Sequence, residues 1–142
     1  MENRCIIISG GVFGPVPEKQ PGDFIIACDR GYVYCERLGL TPDLFIGDFD
    51  SYSGAVAPGV AVERLIPEKD DTDTESAIRL AIRRGAECIT LLGATGTRLD
   101  HVLGNIELLG IGLKAGIPIQ ICDAHNRIRM IDRGMTLARK EQ

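Results

Sequence analysis

Short, continuous apolar runs alternate with amphipathic stretches along this chain, and that alternation restricts its fold more than any other feature. The runs are Cys5-Ile6-Ile7-Ile8-Ser9, Phe24-Ile25-Ile26-Ala27-Cys28, Leu44-Phe45-Ile46, Val62-Glu63-Arg64-Leu65-Ile66, Cys88-Ile89-Thr90-Leu91-Leu92 and Pro118-Ile119-Gln120-Ile121-Cys122. A strand covered on both faces needs apolar side chains at odd and even positions alike, so these runs predict buried parallel strands. Between them lie helical patterns. Gly31 to Leu38 is a short one. Thr74 to Arg84 places Ala77, Ile78, Ala81 and Ile82 on one stripe. His101 to Lys114 is expected to turn Val102, Leu103, Ile106, Leu109 and Leu113 inward. Gly39, Gly85 and Gly116 stand where C-terminal caps belong. Strand-helix alternation of this kind predicts a three-layer α/β fold, Rossmann-like, with a mostly parallel central sheet and helices on both faces. Ile128 to Asp132 reads as one more strand, followed by Gly134 and a charged end. Residues 1–132 are therefore expected to form one α/β domain.

Composition narrows the function. At 44% hydrophobic and 25% charged residues the chain is globular rather than disordered. A net charge of -4 lacks the basic clusters of a nucleic-acid footprint. No apolar run approaches the roughly 20 residues of a membrane span. The five cysteines, Cys5, Cys28, Cys35, Cys88 and Cys122, form no CxxC pair and sit mostly in apolar runs. They read as small buried thiols in a reducing, cytoplasmic setting.

The chemistry is written in polar segments at the ends of the strands, where open α/β sheets bind ligands. Gly10-Gly11 follows the first run, Asp29-Arg30-Gly31 the second, Gly47-Asp48-Phe49-Asp50 the third and Gly93-Ala94-Thr95-Gly96 the fifth. Asp48 and Asp50, two apart, share a face if the strand continues, and can hold one hard cation with oxygen ligands. Asp70, Asp71 and Asp73 precede a helix. Thr72 with Glu75 is a capping box, but three aspartates exceed what a cap needs, and Asp73 is the best candidate among them for a ligand. The Gly93–Gly96 turn lacks the P-loop lysine, yet a Gly-rich turn feeding a helix can offer N–H groups to phosphate through Thr95 and Gly96. Arg98 supplies a guanidinium for phosphate, and Asp100 a carboxylate for a metal or a hydroxyl. His101 and His125 read as polar residues at a helix start and in a turn.

These blocks, in order, resemble a known family. Ser9–Gly11, Asp29–Gly31, Thr41–Ser51, Lys69–Ile78, Gly93–Ile106 and Asp123–Ile128 are similar to successive motifs of the thiamine pyrophosphokinase catalytic domain, a likeness running from Ser9 to about Asp132. That family's second motif ordinarily carries two glycines; here Arg30 and Tyr32 flank Gly31. The resemblance implies transfer of pyrophosphate from ATP to the hydroxyl of thiamine, with AMP released and Mg²⁺ required. It implies a homodimer and a β-sandwich domain after the catalytic one. Residues 133–142 would then begin that sandwich, leaving this chain an incomplete enzyme by itself. It also implies that Asp48, Asp50 and Asp73 hold Mg²⁺, that Asp100 helps hold a second metal or accepts the thiamine hydroxyl proton, and that Arg98 braces charge on the transferred group. Ser9, Gly10, Gly11, Asp29, Gly31, Lys69, Thr95, Gly96 and Arg98 would line the nucleotide site. No residue is assigned as the base. Other readings are a pterin-alcohol pyrophosphokinase and a non-catalytic metal-nucleotide module. A phosphatase with an aspartyl nucleophile fits poorly, because Tyr52 stands where its motif needs Thr or Val.

Overall fold

The computed structural model describes residues 3–11, 16, 18, 20–28, 30–47, 60–64 and 72–134, with 61–64 as backbone. Asp29, Asp48, Asp50, Lys69, Asp70 and Asp71 lie outside the described residues.

The chain runs β1 (Arg4–Ile8), β2 (Phe24–Cys28), α1 (Gly31–Leu38), β3 (Leu44–Gly47), β4 (Ala61–Arg64), α2 (Asp73–Arg83), β5 (Cys88–Leu92), α3 (Leu99–Ala115), β6 (Ile119–Cys122) and β7 (Arg127–Arg129). The strands form one seven-stranded sheet in the order β4-β3-β2-β1-β5-β6-β7. Every pairing is parallel except β6 with β7, which is antiparallel. The fold class read from the apolar runs is the one observed.

The continuous runs split by parity into two cores. Cys5, Ile7, Ile26, Cys28, Leu44, Ile46, Ile89, Leu91 and Ile121 face α2 and α3 and pack with Ala77, Ile78, Ala81 and Leu109. Ile6, Ile8, Ile25, Ala27, Phe45 and Leu92 face the other way and pack with Tyr32 and Cys35 of α1. Tyr32 stacks on Phe45 with ring centroids 4.9 Å apart. Each buried Ile, Leu or Phe stabilises the sheet by about 2 kcal/mol, so helices on both faces are what continuous apolar strands demand.

Local differences from the sequence reading have physical causes. α1 has the bounds expected, and Gly39 and Gly116 cap α1 and α3. The cap of α2 is Arg84, with Gly85 just behind it. Half of the capping box forms: Thr72 Oγ1 accepts from the Glu75 N–H at 3.2 Å, while the Glu75 carboxylate pairs with Arg79 one turn on, also at 3.2 Å. α3 begins two residues earlier than expected, at Leu99. Leu103 does not turn inward; it is 52% exposed, and Leu109 and Gly112 are the buried positions of α3. That helix is apolar nearly all round, so spacing alone could not choose its inner face. β7 stops at Arg129, short of the expected Asp132.

Candidate active site

The strand order reverses direction at one place. From β1 the chain moves to β2 on one side, and later returns through α2 to β5 on the other. The crevice beyond the carboxyl ends of β1 and β5 is therefore the topological switch point, where sheets of this kind take ligands.

Two glycine segments meet there. The Ser9 N–H donates to the Leu92 carbonyl at 2.8 Å, and the Gly11 N–H donates to the Gly93 carbonyl at 2.7 Å. A side chain on Gly11 would overlap the carbonyl oxygens of both Thr95 and Gly93, so this crossing admits glycine alone. Gly10 leaves room for the Arg30 side chain. Gly31 opens α1 against the end of β1, and a methyl there would collide with the Ile8 carbonyl. The glycines at 11 and 31 thus bring backbone close to backbone.

The turn from Gly93 to Gly96 is held from three sides. Gly11 fixes it from β1. The Asn105 amide of α3 donates to the Ala94 carbonyl at 2.8 Å. The Thr95 hydroxyl donates to Asp123 Oδ2 at 2.8 Å. Asp123 also accepts from the His125 N–H at 2.8 Å, the Asn126 N–H at 2.6 Å and the Asn126 amide at 3.1 Å. These bonds, the one from Thr95 foremost, lower its pKa to about 2. Asp123 and Asn105 were not singled out from sequence. Their blocks were noted, but only the fold reveals that α3 and the β6–β7 turn converge on Thr95.

One acidic residue, Asp73, stands on the α2 side of the switch point. Ser9 Oγ lies 3.1 Å from Thr74 Oγ1, joining the end of β1 to the first turn of α2. Asp73 stands in that turn, half-buried, and burial raises its pKa. Among the described residues its carboxylate has no hydrogen bond or ion pair; its backbone carbonyl accepts from Cys28 Sγ at 3.7 Å. A half-buried carboxylate with no such bond from the described residues is costly, and a hard cation would offset that cost. Asp73 therefore fits a metal ligand. The aspartates expected to share the cation, Asp48 and Asp50, lie outside the described residues, as do Asp29 and Lys69. Among the described residues no three metal-binding side chains gather.

At the start of α3, Arg98 and Asp100 hold each other. Arg98 Nε donates to Asp100 Oδ1 at 3.3 Å and Nη2 to Oδ2 at 2.7 Å, on an exposed surface. The Arg98 bond lowers the Asp100 pKa. Both remain within reach of solvent, and a phosphate would compete for the guanidinium. Gly96 is exposed in the same turn. His101 is exposed in the first turn of α3, and the His125 side chain is exposed.

The cysteines are free thiols, with Cys5, Cys28 and Cys35 buried. Burial pushes Cys5 and Cys35 up to about 12 and Cys28 higher, which removes them as nucleophiles.

Comparison with known proteins places this architecture. Residues 19–121 match the family model of the thiamin pyrophosphokinase catalytic domain. The chain is 34% identical over 139 residues to the thiamine pyrophosphokinase of Bacillus subtilis (strain 168), covering 90% of this chain and 64% of that protein. The crystal structure of thiamine pyrophosphokinase from Bacillus subtilis superposes with a TM-score of 0.78 at 34% identity, over 92% of this chain and 65% of that one. A thiamin pyrophosphokinase family protein from Enterococcus faecalis gives 0.77 at 34% identity, over 89% and 64%. The chain thus spans slightly less than two thirds of the length of these relatives. Its switch-point crevice, its parallel sheet and these matches together establish that the chain belongs to the thiamin pyrophosphokinase catalytic-domain family.

Proposed function

We propose that this domain supplies the nucleotide and metal half of a thiamine pyrophosphokinase, moving pyrophosphate from ATP to the thiamine hydroxyl with release of AMP. The observation that carries the reading is the meeting of Gly10–Gly11 with Gly93–Gly96 beyond the carboxyl ends of β1 and β5, the switch point of the sheet, in a chain of this family. Ser9, Gly10, Gly11, Thr95 and Gly96 line the nucleotide side. Arg98 leaves Asp100 to brace charge on the transferred group, a role its planar fork suits. Asp73, with Asp48 and Asp50, would hold Mg²⁺, and Asp100 joins them once Arg98 has turned to phosphate. The metal supplies charge neutralisation at the phosphate oxygens. A cytoplasmic homodimer belongs to the same reading. No helix among the described residues is long and apolar enough to cross a membrane.

The test is an AMP-release assay with Mg-ATP and thiamine, with thiamine diphosphate identified as product. AMP formed only with thiamine supports the reading. AMP formed instead with a pterin alcohol would replace the acceptor. Tight Mg-ATP binding without AMP from any alcohol would leave a non-catalytic nucleotide module.

A further inference from the structure

We propose that Thr95 is a specificity-determining residue that reads the nucleoside half of the nucleotide, and that Asp123 is the positioning residue that makes it do so. This rests on the nucleotide site proposed above and goes beyond it by assigning a polarity to one contact.

A threonine hydroxyl has one proton and two lone pairs. The Thr95 proton is committed, because it donates to Asp123 Oδ2 at 2.8 Å. Asp123 cannot readily turn away. Its two oxygens also take the His125 and Asn126 N–H groups and the Asn126 amide, and its own N–H donates to the Asn126 carbonyl at 3.0 Å. With a pKa of about 2, it stays ionised and accepting at any working pH. Thr95 can therefore offer a ligand only lone pairs.

Phosphate oxygens are acceptors too, so the Thr95 side chain is unsuited to them. The phosphate contact expected from sequence, through the N–H groups of Thr95 and Gly96, belongs to the backbone and is unaffected. The groups a lone-pair donor recognises are hydroxyls and amines. In a nucleotide these are the ribose hydroxyls and the exocyclic amine of adenine. Thr95 stands half-buried at the switch point, on a turn pinned by Gly11, Asn105 and Asp123.

Calorimetry on Thr95→Val and Asp123→Asn tests this, with Mg-ATP and magnesium tripolyphosphate as probes. Thr95→Val keeps the shape and removes the lone pairs. It should weaken Mg-ATP about tenfold and leave tripolyphosphate within about twofold, as expected for one lost hydrogen bond. Asp123→Asn can donate to Thr95 and release the hydroxyl proton toward the crevice. It should weaken Mg-ATP and leave tripolyphosphate unchanged or tighter, a split that loss of structure alone does not produce. Inosine triphosphate and 2′-deoxy-ATP identify the donor: the analogue lacking it should bind wild type and Thr95→Val equally. Equal loss of tripolyphosphate and Mg-ATP in Thr95→Val overturns the proposal in favour of a phosphate or metal contact. Unchanged Mg-ATP affinity in Thr95→Val overturns it as well. Failure of the wild-type protein to bind Mg-ATP removes the nucleotide reading itself, a result distinct from these.

Discussion

Replacing Gly31 with alanine should destabilise the protein, although the same change in an ordinary helix would stabilise it. Gly31 is the first residue of α1. Helix propensity favours alanine over glycine there by up to about 1 kcal/mol. The new Cβ would stand 2.7 Å from the Ile8 carbonyl carbon and nearer still to its oxygen. Ordinary carbon–carbon contact is roughly 3.5–4.0 Å, so about an ångström of overlap must be relieved. Both sides are backbone, and the Ile8 end of β1 is fixed by β2 and β5. Only α1 can yield, which separates Tyr32 from Phe45. Overpacking of this kind costs about 3 kcal/mol, leaving a net loss of about 2 kcal/mol. For a chain of this size that lowers Tm by about 6 °C. Gly104→Ala in α3 is the control, since nothing lies within 4 Å of its Cβ position. It should gain up to about 1 kcal/mol. Urea and thermal unfolding followed by circular dichroism measure both. A Gly31→Ala protein as stable as wild type would refute the close approach of α1 to β1.

Asp73→Asn should raise the stability of the metal-free protein at pH 7 and abolish stabilisation by Mg²⁺. Burial raises the Asp73 pKa, so the charged form costs stability above that value and the cost fades as pH falls through it; a lower metal-free Tm in the variant would contradict this. Asp123→Ala should cost about 1 kcal/mol at pH 7, allowing for partial exposure. Because the folded pKa lies near 2 against an ordinary 3.8, the Asp123 contribution is complete above about pH 4 and lost as pH falls through 2; a deficit that does not shrink in acid would count against the four-donor arrangement. At pH 8 a thiol reagent should modify Cys88 and Cys122 well before Cys5, Cys28 and Cys35, which react only on unfolding. Five thiols reacting together in the native protein would show that those three are not sealed.

What the sequence disclosed, and what it withheld, follows from the range of each signal. The strands were legible because two-sided burial writes itself into consecutive residues such as Ile6-Ile7-Ile8. α1 was legible because a helical stripe and a glycine cap bracket it. α3 was not, beyond its existence: an all-round apolar helix gives no phase, and Leu103 was placed on the wrong face. Two of the polar segments, Gly10-Gly11 and Gly93–Gly96, stand at the carboxyl ends of β1 and β5, as their positions after apolar runs imply. Asp123 escaped because its role depends on Thr95, 28 positions earlier and brought close only by the pairing of β5 with β6. The expected partners of Asp73, namely Asp48 and Asp50, fall outside the described residues, so their joint site stands as the resemblance implied it.

The pairing of β1 with β5 also sets an order of events during folding. β1 meets β2 over a short loop, with Cys5 beside Phe24, whereas it meets β5 with Arg4 beside Cys88. Closing the longer loop costs about 1.3 kcal/mol more in chain entropy, a rate factor of about ten. The β1–β2–β3 half and the β5–β6–β7 half can each assemble first, and the seam between them closes last. The crevice lies at the carboxyl end of that seam. A refolding chain would acquire most of its strand signal before it could hold a nucleotide, and binding should return only in the slowest phase. Binding recovered in an earlier phase would mean that the seam forms first and the two halves grow outward from it.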